Sequence, residues 1–307
     1  MFGEARNFLR DNATRTNFFL WLDCFDPHEP WDAPPEFVLK YDKTPGYDGR
    51  VDPRAFGPWR NSKLTDAAVK RIRATYAAKV SRVDHWLGIL LDTLSETGLQ
   101  KNTAIILTSD HGTNDGTCNG FGKSVPPREP EARTPPMISV PGAGAGVSDI
   151  IAQPQDLFAT ITAIAGIRPS QQVDSHDILT PAREGRSGPR RIAVCGRKPG
   201  ERDILFTAFD GQWCLEVAAD PGKCRLVRIG ETEDVSAENP NRVEVLRNMA
   251  LDEYARSGAE PAVMRWLRAE GTVSFPETFT PHRSFPLPAG YTQYFKRLYH
   301  GEFPGLK

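Results

Sequence analysis

Residues 103–124 read TAIILTSDHGTNDGTCNGFGKS. A short run of strand character breaks into an acid and an imidazole, Asp110 and His111, then into a glycine- and asparagine-rich loop that reaches Lys123. An uninterrupted run of aliphatic and β-branched residues, closed by turn formers, predicts a buried strand. Immediately upstream, Val69, Ile72, Tyr76, Val80, Val83, Leu87, Leu90, Leu91 and Leu94 recur at three- and four-residue spacing. That spacing predicts one long helix over residues 64–97, capped by Ser62 or Thr65 and stopped by Gly98. Helix, short loop and strand together are the rhythm of a parallel α/β sheet.

In an open parallel sheet, ligands gather outside the carboxyl ends of the strands. A second apolar run, residues 18–23 (FFLWLD), predicts another buried strand, and it discharges into CFDPHEPW with His28 at its centre. If the two strands run parallel, His28, Asp110, His111 and Lys123 share a rim. A carboxylate beside an imidazole can supply two ligands to a divalent cation. His28 and Lys123 are suited to holding or protonating an anion. On residue pattern alone, Asp110 and His111 are also compatible with a solvated turn, His28 with loop packing, and Lys123 with an ordinary exposed lysine. Asp84-His85, inside the long helix, reads as a solvated edge, and residues 174–177 (DSHD) as a polar loop.

Bulk properties exclude several partners. The 307 residues carry a net charge of −1, with 39% hydrophobic and 25% charged residues. No basic face points to nucleic acid, and no apolar run approaches the length of a membrane span. The first seventeen residues lack the apolar core of a signal peptide, and compartment and oligomeric state are not legible. Five scattered cysteines, without CxxC spacing, favour neither a zinc knuckle nor a disulfide framework.

Further along, residues 135–140 (PPMISV) predict a strand and residues 155–166 a helix. The long aromatic loop 32–62 is without period. The basic stretch 183–202 reads as loop. Beyond it, residues 204–209 and 212–217, separated by Asp210-Gly211, predict a hairpin, with a third strand over 224–229 and helices over 242–254 and 261–269. The expected division is therefore an α/β portion over residues 1–183, a small antiparallel α+β subdomain over 184–271, and a proline- and aromatic-rich tail over 272–307.

Taken together, FFLWLDCFDPHEPW (18–31), YAAKVSRVDHWLGILLDTLSETGLQKNTAIILTSDHG (76–112), GFGK (120–123), PPMISVPG (135–142) and QPQDLFATITAIAGI (153–167) resemble the sulfatase family of the alkaline phosphatase-like superfamily. The resemblance covers about half of the chain. It implies a mostly parallel sheet flanked by helices, and hydrolysis of a sulfate monoester on a sulfated small molecule or glycan. It also implies that Asp110 and His111 bind one divalent metal, and that His28 and Lys123 are the catalytic and substrate-binding residues. The metal is expected to be calcium, with zinc or manganese open because histidine is an unusual ligand for so hard an ion. Asp84 and Asp156 fall at positions expected to be structural.

The family also carries a C/S-x-P-x-R motif, whose Cys or Ser becomes the formylglycine nucleophile, and an Asp-Asp metal pair, both upstream of the HEPW element. Here seventeen residues precede Phe18, and none of the five cysteines is followed by x-P-x-R. The expectation is an N-terminally incomplete chain without its own nucleophile and without two metal ligands. Such a chain would be catalytically incomplete and, with sheet edges and apolar faces bared, poorly stable. Phosphodiesterases and phosphonate monoester hydrolases of the same superfamily are the alternative activity, and a non-catalytic anion-binding remnant the alternative class.

Overall fold

The computed structural model describes residues 1–15, 17–50, 64–118, 120–124, 127–171, 173–196, 204–218, 220–259 and 261–268. The expected tail over 272–307 and the second part of the aromatic loop lie outside them. In chain order come helices α1 (Phe2–Asp11), α2 (Pro35–Val38) and α3 (Asp66–Glu96), then strand β1 (Ile105–Leu107). Two short segments, β2 (Asn114–Asp115) and β3 (Phe121–Gly122), precede the single-turn helix α4 (Glu129–Ala132) and strand β4 (Met137–Ser139). Helices α5 (Asp156–Ile164) and α6 (Leu179–Arg183) lead to β5 (Ala193–Gly196), β6 (Ile204–Phe209), β7 (Trp213–Ala218) and β8 (Arg225–Arg228), and helices α7 (Pro240–Arg256) and α8 (Pro261–Leu267) follow.

The chain divides into two compact units. Among the described residues, one holds Met1–Leu99 with Asn119–Gly122, and the other Gln100–Cys118 with the segment from Lys123 to Arg268. In the first, α3 is the organiser. Its start is capped as its sequence predicts, the Thr65 side chain accepting from the Ala68 amide at 3.3 Å. Its end passes into Gly98 at φ +74°, the left-handed conformation that glycine adopts without penalty. Ala68, Ile72, Thr75, Lys79, Leu90 and Leu94 form its buried face, whereas Val80 and Leu91 of the expected stripe are exposed. Helix α1, which the sequence reading does not anticipate, buries Ala5 and Leu9 and packs on α3, stacking Phe2 on Trp86 at 6.1 Å. Trp31, Ile72 and Phe121 form a small core with Tyr76 and Val69.

Residues 18–23 correct the sequence reading. They form no strand, and Phe19, Trp21 and Phe25 are 68%, 65% and 62% exposed. An apolar run becomes a buried strand only where a ladder partner and a covering layer exist, and nothing among the described residues supplies them.

In the second unit, β1 and β4 pair antiparallel, Ile105 opposite Ser139 and Leu107 opposite Met137. The sequence reading assigns no direction to this pair. Between β1 and β4 the only described helix is the single turn α4. The sheet β5-β6-β7-β8 is an antiparallel meander. Its central turn is the predicted one: Asp210 accepts from the amides of Gln212 and Trp213 at 2.9 and 2.8 Å, and Gly211 sits at φ +92°. Strand β5 corrects the reading of 183–202 as loop, and residues 197–202 lie outside the described residues. Phe206, Leu215, Val217 and Leu226 of the sheet bury against Leu246, Ala250 and Leu251 of α7.

Candidate functional site

Asp110 and His111 follow β1 in a bend, both exposed. The Asp110 Oδ1 accepts from the His111 amide at 2.8 Å and from the Ser109 hydroxyl at 3.3 Å. What desolvation the carboxyl suffers raises its pKa, but the His111 amide, the nearby imidazole and the Ser109 hydroxyl outweigh it and hold the group below the ordinary carboxylate range. The His111 Nδ1 lies 2.8 Å from the Gly112 carbonyl. With Nδ1–H donated there, Nε2 keeps its lone pair. That nitrogen stands 3.6 Å from Asp110 Oδ2, so one oxygen and one nitrogen converge as a two-donor chelate. Among the described residues no group of three or more His, Cys, Asp or Glu could hold a metal. The pair therefore fits part of a coordination shell, not a closed cage.

Lys123 is half-buried and follows Gly122, which sits at φ +77°. The residue after it, Ser124, is held by a buried carboxylate. Glu131 of α4, 7% exposed, accepts from the Ser124 amide and hydroxyl, each at 2.7 Å, and from Asn114 Nδ2 at 3.3 Å. The main-chain carbonyl of Glu131 accepts from the Gly112 amide at 2.6 Å. Gly112 has to be glycine for this: a Cβ there would stand 2.2 Å from the Pro130 carbonyl oxygen. One residue thus tethers both the Asp110-His111 bend and the Lys123 turn. The four-stranded sheet supports it from behind, since Thr207 donates to the Pro127 carbonyl at 2.6 Å and Arg128 lies 3.6 Å from Glu216.

His28 belongs to the first unit. Its Nδ1 lies 2.5 Å from the Glu29 carbonyl, and its ring packs on Phe25 at 4.4 Å between centroids. The stretch 26–32 around it is pinned by Lys79 of α3, whose side chain is 6% exposed and whose Nζ reaches Asp26 at 2.7 Å and Asp32 at 2.6 Å. Trp31 anchors the same stretch, packed on Tyr76 and Phe121.

The pairs set aside in the sequence have local explanations. Asp84 and His85 are exposed on α3. Asp156 is fully buried and takes Arg190 bidentately at 2.7 and 2.9 Å, together with the amides of Gln153 and His176. Arg190 also reaches Glu253 at 3.2 Å. In the DSHD loop, the Ser175 hydroxyl accepts from Ala159 and Asp177 from the Leu179 amide. All five cysteines are free thiols; burial pushes Cys195 up to about 12 and Cys214 further still, so neither is poised as a thiolate.

Two serine matches to C/S-x-P-x-R, at residues 124–128 and 187–191, escape a reading that looks only at the cysteines. The first is spent on packing. The Ser124 hydroxyl donates to Glu131 and accepts from the Arg128 amide at 3.2 Å. In the other, Ser187 itself is exposed, while the variable positions are used in packing: Gly188 leaves room for Ile150 and Arg190 is committed to Asp156.

A family model described as Sulfatase matches residues 1–167. The chain belongs to the sulfatase family. An arylsulfatase of Clostridium perfringens is 30% identical over 184 residues, 53% of this chain and 37% of that protein. The sulfatase chain thus spans little more than a third of that relative's length. Among solved structures, the yidJ protein of Bacteroides fragilis, assigned to the sulfatases, superposes with a TM-score of 0.68 at 17% identity, covering 87% of this chain and 59% of that one. A phosphonate monoester hydrolase from Silicibacter pomeroyi gives a TM-score of 0.61 at 20% identity, over 82% and 59%. At these identities the structures establish the alkaline phosphatase-like fold. No described helix is long and apolar enough to cross a membrane.

Proposed function

We propose that this sulfatase-family chain contributes the metal-chelating bend and the anion-binding groups of a sulfuric-ester hydrolase acting on a sulfated small molecule or glycan. The observation that carries the proposal is the tethering of the Asp110-His111 chelate and the Lys123 turn to the single residue Glu131. Asp110 and His111 Nε2 would hold one divalent cation, calcium by family resemblance, with zinc or manganese accommodated by the nitrogen donor. When bound, that cation neutralises charge on the sulfate oxygens. Lys123 places a compact positive charge beside the same group, and His28 hands a proton to the leaving oxygen as the S–O bond breaks. The nucleophile, a hydrated formylglycine, and the remaining metal ligands come from polypeptide other than these 307 residues. The division at residue 183 belongs to the same proposal.

Fold similarity to a phosphonate monoester hydrolase supports a second reading, in which the ester is a phosphonate on the same scaffold. The native gene product, assayed on 4-nitrophenyl sulfate and on 4-nitrophenyl phenylphosphonate, separates the two. Preference for the sulfate, lost on chelation and regained with calcium, supports the first reading. Preference for the phosphonate replaces it with the second.

A further inference from the structure

Glu131 is a charged side chain, more than nine-tenths buried, at the centre of the candidate site, yet no assigned role uses it. Among the described residues its three donors, the Ser124 amide and hydroxyl and the Asn114 amide group, converge on one oxygen, Oε2. Burying a carboxylate is costly unless donors replace its water, so its presence against the residue after Lys123 needs a reason. Its side chain grips the residue after Lys123, whereas its main chain grips Gly112, the residue after His111. The two tethers are chemically separable, because truncating the side chain leaves the carbonyl in place. Opposite them, Arg128 fixes the far side of the turn, its Nη1 donating to the Cys118 carbonyl at 2.6 Å.

We infer that Glu131 is a positioning residue: its carboxylate sets where Lys123 stands, and its carbonyl sets where the Asp110-His111 bend stands. This deepens the proposed function and rests on the reading of Lys123 as an anion-binding group. It assigns Glu131 no contact with substrate or metal.

The separability supplies the test. Inorganic sulfate and calcium are titrated calorimetrically into the native gene product and its variants Glu131→Ala, Glu131→Gln and Lys123→Ala, each checked for a cooperative melt. Glu131→Ala, which strips the acceptor from the Ser124 amide, is expected to weaken sulfate roughly tenfold while leaving calcium affinity within about threefold, since the Gly112 tether survives. Glu131→Gln, which keeps an acceptor oxygen, is expected to recover most of the sulfate affinity. A purely structural role would weaken both ligands together and in proportion to the melt, and that outcome overturns the inference. Parental sulfate affinity in Glu131→Ala, with the affinity lost in Lys123→Ala, also overturns it but leaves the functional reading standing. Parental affinity in Lys123→Ala overturns both. If Glu131→Ala does not fold, Ser124→Ala makes the milder cut: about threefold weaker sulfate with calcium unchanged supports the inference, and no change overturns it.

Discussion

At the scale of single residues, the same chemical groups do different work according to their burial. Asp110 is exposed and offers Oδ2 toward His111 Nε2, whereas Asp156 is fully enclosed and ion-paired with Arg190, itself 6% exposed in its side chain. Asp110→Asn is expected to weaken calcium binding by at least tenfold with little change in the melt, measured by calorimetry and circular dichroism. Asp156→Ala is expected to do the reverse. It leaves Arg190 buried with only Glu253 and a carbonyl, which costs about 3–5 kcal/mol, readable in a denaturant titration. For Asp156, burial raises the pKa, but the Arg190 pair and the Gln153 and His176 amides overcome it and leave the group depressed in the folded chain. The native state therefore binds fewer protons there than the unfolded chain. The stabilisation is full above the ordinary carboxylate range, about pH 4, and is lost as pH falls through the lower folded value. Asp156→Asn should accordingly flatten the acid limb of the stability profile below about pH 5. The family resemblance already separates Asp110, expected at the metal, from Asp156, expected to be structural. The structure supplies the physical reason for the structural one: its pairing partner, Arg190, lies thirty-four residues on.

At the scale of elements, the local signals hold best where one residue determines the geometry. The Asp210-Gly211 turn is legible because its positive φ selects glycine. A Cβ at Gly211 would meet nothing within 4 Å, so Gly211→Ala probes the backbone alone and should cost about 1–2 kcal/mol in a thermal melt. Helix α3 is legible by its period and its cap, although its exposed Val80 and Leu91 show that periodicity alone does not say which apolar side chains find a cover. Lys79 is the element's unexpected member, buried in a helix and bridged to Asp26 and Asp32 on either side of His28. Lys79→Met should cost about 1–2 kcal/mol, less than a fully buried pair would because Asp32 is half-exposed. Strand β5 was hidden because its four residues sit among arginines and glycines, and edge pairing with β6 is not written in its own composition.

At the scale of the whole molecule, the described residues leave apolar surface uncovered. Phe19, Trp21 and Phe25 alternate along one stretch, each more than 60% exposed, and exposed aromatic patches of this kind drive association. The 307-residue chain alone is expected to bind a hydrophobic dye and to associate at micromolar concentration. Phe19→Ser with Trp21→Ser should reduce both, as read by dye fluorescence and light scattering. An unchanged, fully monomeric chain in both states would show that this surface is inert.

By itself, the sequence determined the family, the long helix with its cap and stop, the hairpin and the candidate groups Asp110, His111, His28 and Lys123. These rest on period, on turn chemistry and on short motifs, all of which act between residues close in the chain. Tertiary structure alone decided that β1 and β4 pair antiparallel, that residues 18–23 stand uncovered, and that Glu131 ties the Lys123 turn to the bend after β1. Pairing partners, covering layers and buried charge pairs join residues distant in the chain, and their energy depends on a neighbour that no local pattern names.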